Sequence, residues 1–91
     1  KPIGAICIAP ALLARIAGKH HVAATLTIGN DATTAAAINQ TGCAHENCAV
    51  TEITVDKEHK LVTTPAYMLA KGPAEVFEGV RKLVERVLAL V

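Results

Sequence analysis

Aromatic side chains are nearly absent from this chain. Its 91 residues hold no Trp, one Tyr (Tyr67) and one Phe (Phe77), 2% in all. That removes the stacking platforms on which single-stranded nucleic acids are held. An excess of one charge sign is missing too. Lys and Arg nearly balance Asp and Glu, and the formal net charge is +1. No nucleic acid and no membrane surface is therefore expected as a partner. Apolar runs are broken by charges well before they reach the length of a membrane span. No signal-peptide pattern is visible, and the first residue is Lys1 rather than Met, which suggests a trimmed or partial chain. Cysteine is scarce and odd in number: Cys7, Cys43 and Cys48. Three cysteines without a regular spacing argue against a secreted disulfide scaffold. A reducing, cytoplasmic setting is expected, in which the question is which thiol reacts.

What remains is apolar. Apolar residues make up 52% of the chain, enough for a packed core and too many for disorder. Residues Ile3 to Ala9 form a continuous apolar run rather than an alternating one. Such runs suit a strand covered on both faces, as in a parallel sheet between helix layers. Pro10 then starts a helix, and Gly18 stands where its C-terminal cap is expected. Val22 to Ile28 reads as a second strand. Asn30 and Asp31 offer an N-cap for a short helix that Gly42 closes. Ile53 to Asp56 and Lys60 to Thr64 read as a hairpin turned by Asp56-Lys57-Glu58-His59. Gly72 and Pro73 open a last helix. In it Val76, Val80, Leu83, Val84, Val87, Leu88 and Val91 recur at helical spacing and predict a core-packing stripe.

Cys7 lies between the apolar strand and the first helix, in G4-A5-I6-C7-I8-A9-P10. A strand, a sharp turn and a helix start make the elbow on which nucleophiles are presented. The turn exposes the side chain, and a helix N-terminus favours an anionic group. The Ile8 N–H, next in the chain, is placed to hold a developing oxyanion. The alternative for Cys7 is a small buried hydrophobe.

The elbow K1-P2-I3-G4 with C7-I8-A9-P10-A11, the segment L26-T27-I28-G29, Gly42 followed by His45 and Cys48, and the run V62-T63-T64-P65-A66-Y67-M68-L69 together resemble the ElbB-type proteins. These belong to the PfpI-like, class I glutamine amidotransferase-like superfamily. The resemblance covers essentially the whole chain. It implies an α/β, flavodoxin-like three-layer sandwich with a mostly parallel sheet, of which residues 1–91 would be the C-terminal half of a single domain. It also implies an N-terminal half of similar length, supplied by a missing segment or a second chain, with a homodimer as a further possibility. The family is linked to isoprenoid biosynthesis, and bacterial members are described as glyoxalases. That implies a cofactor-independent enzyme, with no cofactor and no metal, acting on a small aldehyde and turning glyoxal into glycolate through the Cys7 thiolate. The acidic partner of this cysteine would lie in the absent half. Related amidotransferases place a histidine near the cysteine. Here Cys48 occupies that position and His45 precedes it by three. A thiol is a poor base near neutral pH, so free glutamine amidotransferase activity is the least favoured activity.

Other residues have plainer alternatives. Thr63, Thr64 and Pro65 end a strand, where open α/β sheets bind ligands, and are expected to line one pocket with Cys7, His45 and Cys48. Strand-end and turn chemistry is the competing explanation. His20, His21 and His59 are expected in solvated turns, and Tyr67 and Met68 in packing. Two functional hypotheses stand: a glyoxalase-like enzyme using Cys7, or a non-catalytic amidotransferase-like or redox-responsive binding protein in which Cys7 is oxidised. Cys43, His45 and Cys48 supply too few donors for a closed tetrahedral zinc site. Elemental analysis of protein prepared without chelators should therefore find no stoichiometric zinc; one zinc per chain would contradict this.

Overall fold

The computed structural model describes residues 1–69 and 71–91, and only the backbone of Tyr67. The expected packing of the Tyr67 side chain lies outside the described residues. In chain order the elements are β1 (Ile3–Ile6), α1 (Ala9–Lys19), β2 (Thr25–Leu26), α2 (Ala32–Gln40), β3 (Ala44–His45), β4 (Thr54–Asp56), β5 (Leu61–Thr64), a 3-10 turn (Ala66–Met68) and α3 (Pro73–Ala89). Parallel pairing of β1 with β5 and of β2 with β3, with helices between, defines the mixed α/β class that was expected.

The apolar run from Ile3 to Ala9 does not make one long strand. β1 stops at Ile6 because Cys7 turns the backbone left-handed, with φ of 61°, and Ala9 and Pro10 already belong to the first turn of α1. Gly18 does not cap α1 but lies inside it; the helix runs to Lys19 and ends at His20. A glycine is needed there for a close approach, since a Cβ would sit 2.3 Å from the Thr41 carbonyl oxygen. Asp31 caps α2, its carboxylate accepting from the Thr34 N–H at 3.0 Å. β4 and β5 form the expected antiparallel hairpin, with Asp56 opposite Leu61.

β2 is shorter than the predicted Val22–Ile28 because side chains serve much of its backbone. Its ladder to β3 is extended by Ala44 N–H donating to Ala24 O and Glu46 N–H to Leu26 O. The N–H groups of Thr25 and Thr27 point the other way, toward the three-stranded sheet β1-β5-β4. Thr25 donates to Asp56 Oδ2 at 2.7 Å and Thr27 to Thr63 Oγ1 at 3.0 Å. Two side chains thus join the sheets where a backbone ladder would normally do so.

Asp56 is buried and accepts a further bond from the His59 N–H, and its Oδ2 lies 3.0 Å from His59 Nδ1. Burial raises its carboxyl, but the bonds from Thr25 and His59 outweigh that and hold it below the usual range. His59 is correspondingly raised, first by its bond to Asp56, against the effect of burial. His59 lies in the expected turn and stays partly exposed, but its ring is tied back onto the hairpin by Asp56.

The core gathers Ala14, Ala17, Ala24, Leu26, Ile28, Ile38, Cys43 and Leu61, with Met68 packed against it as expected. Cys43 is held inside, its thiol donating to Ala14 O and Val22 O. Two apolar surfaces lack cover among the described residues, where the expected N-terminal half would supply it. β1 pairs on one side only and leaves Ile3 and Ile6 exposed, rather than sitting mid-sheet. On α3 only Gly79 and Leu83 are buried. Leu83 and Val87 lie over Gly4 of β1, whereas Phe77, Val84, Leu88 and Val91 stay exposed. The polar flank of α3 reaches Glu52 through Lys82 at 2.9 Å, so the apolar flank faces away from the segment leading into β4.

Replacing Asp56 by Ala should strand the Thr25 N–H and lower unfolding stability by about 2–3 kcal/mol. Denaturant titration of the two proteins measures this. The lowered carboxyl adds stability above the ordinary carboxylate range, so the wild type should lose that advantage as pH falls through the folded value.

Candidate functional site

The centre of the candidate site is the turn between β1 and α1. Cys7 is partly exposed, and its N–H donates to Thr64 O at 3.1 Å across the β1–β5 pair. Register places Ile6 beside Thr64, so Cys7 stands at the carboxyl end of two parallel strands. Ile8 caps α1 without a side-chain bond, and its side chain is exposed. Among the described residues the Ile8 N–H enters no hydrogen bond and is available to an anionic atom at the helix start.

A second left-handed residue stands nearby. Ala66, just past the end of β5, has φ of 48°. Non-glycine residues in this region cost of order 1–3 kcal/mol each, and such strain gathers at functional sites. Cys7 and Ala66 thus put two such residues at neighbouring strand ends; His21 and Lys60, in turns elsewhere, share the conformation. The run from Val62 to Leu69 stands out in the sequence, but strain at Ala66 has no signature in residue type.

The remaining expected site residues divide. Thr63, Thr64 and Pro65 are fully buried rather than lining an open pocket. Their burial has a structural cause: Thr63 Oγ1 accepts from Thr27, and Thr64 Oγ1 donates to Glu52 O at 2.6 Å. What meets the elbow is the Thr64 carbonyl, not its hydroxyl.

His45 and Cys48 come together around the end of β2. The Cys48 N–H donates to Gly29 O. His45 is steadied by Asn39, whose Oδ1 accepts its N–H at 3.0 Å, a partner that no sequence signal marked. His45 Nε2 accepts from the Ile28 N–H at 3.2 Å, so the ring is neutral with its proton on Nδ1. Burial holds His45 below its ordinary value, partly offset by Glu46. Burial also pushes the Cys48 thiol up, with a bond to Thr54 acting the other way and Glu52 and Glu46 adding to the rise. Among the described residues, no hydrogen bond joins either side chain to Cys7. The bonds that hold this pair run to Ile28, Asn39, Gly29 and Ala49 rather than to the elbow.

Among the described residues, no group of three or more His, Cys, Asp or Glu side chains converges as metal ligands. No helix among them is long and apolar enough to cross a membrane. Concavities of about 480 and 400 Å³ run along the two flanks of α3, and neither includes Cys7.

Parallel strands, three helices and a strained cysteine between β1 and α1 define an amidotransferase-like α/β fold of flavodoxin type. A crystal structure of an isoprenoid biosynthesis protein with an amidotransferase-like domain from Ehrlichia chaffeensis matches with a TM-score of 0.90 at 27% identity. The match covers 99% of this chain and 41% of that one. Two curated relatives are the ES1 protein homolog, mitochondrial, of Rattus norvegicus and the glutamine amidotransferase-like class 1 domain-containing protein 3, mitochondrial, of Homo sapiens. Each is 36% identical over 99 aligned positions and 99% of this chain. No family model matches the chain. The chain resembles the ElbB-type, class I amidotransferase-like proteins, the likeness that the C-I-A-P and V-T-T-P-A-Y-M segments carried. It spans 36% and 35% of the length of the two curated relatives.

Protonating His45 turns Nε2 from acceptor to donor and sets it against the Ile28 N–H. Its folded value is depressed, so its contribution is complete above the ordinary histidine range and is lost as pH falls from there through the folded value. His45→Gln, whose amide oxygen can accept from Ile28, should flatten that acid-side loss. Denaturation curves of both proteins between about pH 5 and 8 measure it. An unchanged slope in His45→Gln would show that other groups set the pH dependence.

Proposed function

We propose that these residues carry the nucleophile segment of a cofactor-independent, glyoxalase-like enzyme, and that Cys7 is its nucleophile. One observation supports this above the rest: Cys7 holds a left-handed backbone at the N-terminus of α1, with its N–H tied to Thr64 O. Strain of this kind at a strand–helix turn is how elbow nucleophiles are presented.

In the proposed reaction the Cys7 thiolate attacks one carbonyl carbon of glyoxal. A C–S bond forms and the carbonyl π electrons move to oxygen, where the Ile8 N–H helps hold the charge. Protonation gives a hemithioacetal. A base then takes the proton from the thiol-bearing carbon, and a proton is returned to the neighbouring carbon, leaving a hydroxyacetyl thioester. Water cleaves that thioester, releasing glycolate and the thiolate. His45 is neutral with Nε2 already engaged, and Cys48 holds its proton, so neither suits the base. The base is assigned to the N-terminal half of the domain, of which residues 1–91 are the C-terminal half. The open edge of β1, the exposed flank of α3 and the greater length of the relatives support that partner. A homodimer is the alternative assembly. A role in isoprenoid biosynthesis is carried over from the Ehrlichia protein, which is described in those words. Three free cysteines suit the cytoplasm, and the names of the two curated relatives make mitochondria the alternative location.

The second possibility is a non-catalytic, redox-responsive binding protein. No hydrogen bond joins the Cys7 side chain to a basic group among the described residues, and His45 Nε2 is engaged by Ile28, which favours it. The same thiolate would displace hydroxide from peroxide and become a sulfenic acid.

In the intact protein, Cys7→Ser should abolish glyoxal consumption, since a serine hydroxyl without a strong base is a far weaker nucleophile. Steady-state assay of glycolate decides. Wild-type kcat/KM in the variant would rule out the covalent route, and an inactive wild type would favour the redox alternative.

A further inference from the structure

Thr64 touches both the elbow and the segment that follows Cys48. Its carbonyl accepts the Cys7 N–H at 3.1 Å, and its hydroxyl donates to Glu52 O at 2.6 Å. The side chain is fully buried, so these bonds are not shared with solvent. Above it lies Gly79, in the middle of α3. A Cβ on Gly79 would come 2.4 Å from Val50 O and 3.0 Å from Thr64 Oγ1. Glycine weakens a helix interior, so its presence there has a packing reason. The absent side chain lets α3 press residues 50–52 onto Thr64. Lys82, one turn further on, holds the Glu52 carboxylate from the same helix.

We infer that Thr64 is a positioning residue for Cys7: its two oxygens hold the strained elbow against the segment after Cys48, and Gly79 allows α3 to close that clamp. The inference rests on the proposed nucleophile role of Cys7. A left-handed cysteine persists only while its surroundings over-determine it. One of those constraints is the Cys7–Thr64 bond, and the position of the Thr64 carbonyl is set by its hydroxyl bond to Glu52 and by α3 above. Losing the hydroxyl, or pushing the segment away with a Cβ at position 79, frees Thr64 and lets the elbow relax. The thiol then leaves its place at the start of α1.

The test is site-resolved mass spectrometry of the intact protein under brief, limiting iodoacetamide. Cys43, at 4% exposure, reports whether the fold is intact. In the wild type Cys7 should label faster than Cys48. In Thr64→Val and in Gly79→Ala its rate should fall about tenfold, the scale of one lost hydrogen bond, with Cys43 still protected. Thr64→Ser, which keeps the hydroxyl, should restore the wild-type rate; a general packing role for Thr64 would give no such rescue. Wild-type Cys7 labelling in either variant with Cys43 protected would overturn the inference, as would a Thr64→Ser protein that behaves like Thr64→Val. If Thr64→Val exposes Cys43, Gly79→Ala decides alone. A wild-type Cys7 no faster than Cys48 would overturn the proposed function, and the inference with it.

Discussion

Two side-chain oxygens hold the sheets of this protein together, and the rest of the fold is arranged around them. β2 spends its even-numbered backbone groups on β3 and turns the N–H groups of Thr25 and Thr27 toward β4 and β5. Asp56 Oδ2 and Thr63 Oγ1 accept them. A buried N–H without an acceptor costs as much as a lost hydrogen bond, so neither acceptor can be dispensed with. Asp56 also has to be a carboxylate, because it serves Thr25 and His59 together. Thr63 has to be a hydroxyl within the apolar centre of β5. These demands explain why polar residues are fully buried in a chain otherwise rich in Ala, Val, Leu and Ile.

The elbow inherits its geometry from that joint. β5 is fixed by β4 on one side and by Thr27 through Thr63, and it offers its next carbonyl, that of Thr64, to Cys7. Cys7 is left-handed while its neighbours Ile6 and Ala9 lie in strand and helix. The polar groups nearest the end of β2 serve other ends. His45 accepts from Ile28, and Cys48 lies in an environment that keeps its proton on. Among the described residues no hydrogen bond joins Cys7 to a basic side chain, and the chain spans little more than a third of its curated relatives.

Much of this was legible in the residues themselves. The turn Asp56 to His59, the cap at Asp31, the short apolar strand before Cys7 and the helix opened by Pro73 all follow from local rules of φ, capping and periodicity, which act over a few residues. The likeness to amidotransferase-like proteins was carried by short segments and is matched by a solved structure along the whole chain. Expectations went astray where the partner is distant in sequence. Gly18 looked like a cap but answers to Thr41. Thr63 and Thr64 looked like pocket lining but are spent on Thr27 and Glu52.

The sequence by itself determined most element types and the place of Cys7 between a strand and a helix, because each depends on neighbours within one or two turns, while the class of fold was implied by the family resemblance. Only the tertiary structure decided which polar atoms are free to act. Contacts such as Thr27 with Thr63 and Thr25 with Asp56 span more than thirty residues, and no local pattern encodes them. They decide that Thr63 is a joint and that the Thr64 carbonyl holds the elbow. The contact of Ile28 with His45 decides in the same way that His45 is a neutral acceptor. A hydroxyl, an amide or an imidazole has the same chemistry wherever it stands; what the fold adds is whether a partner has already claimed it.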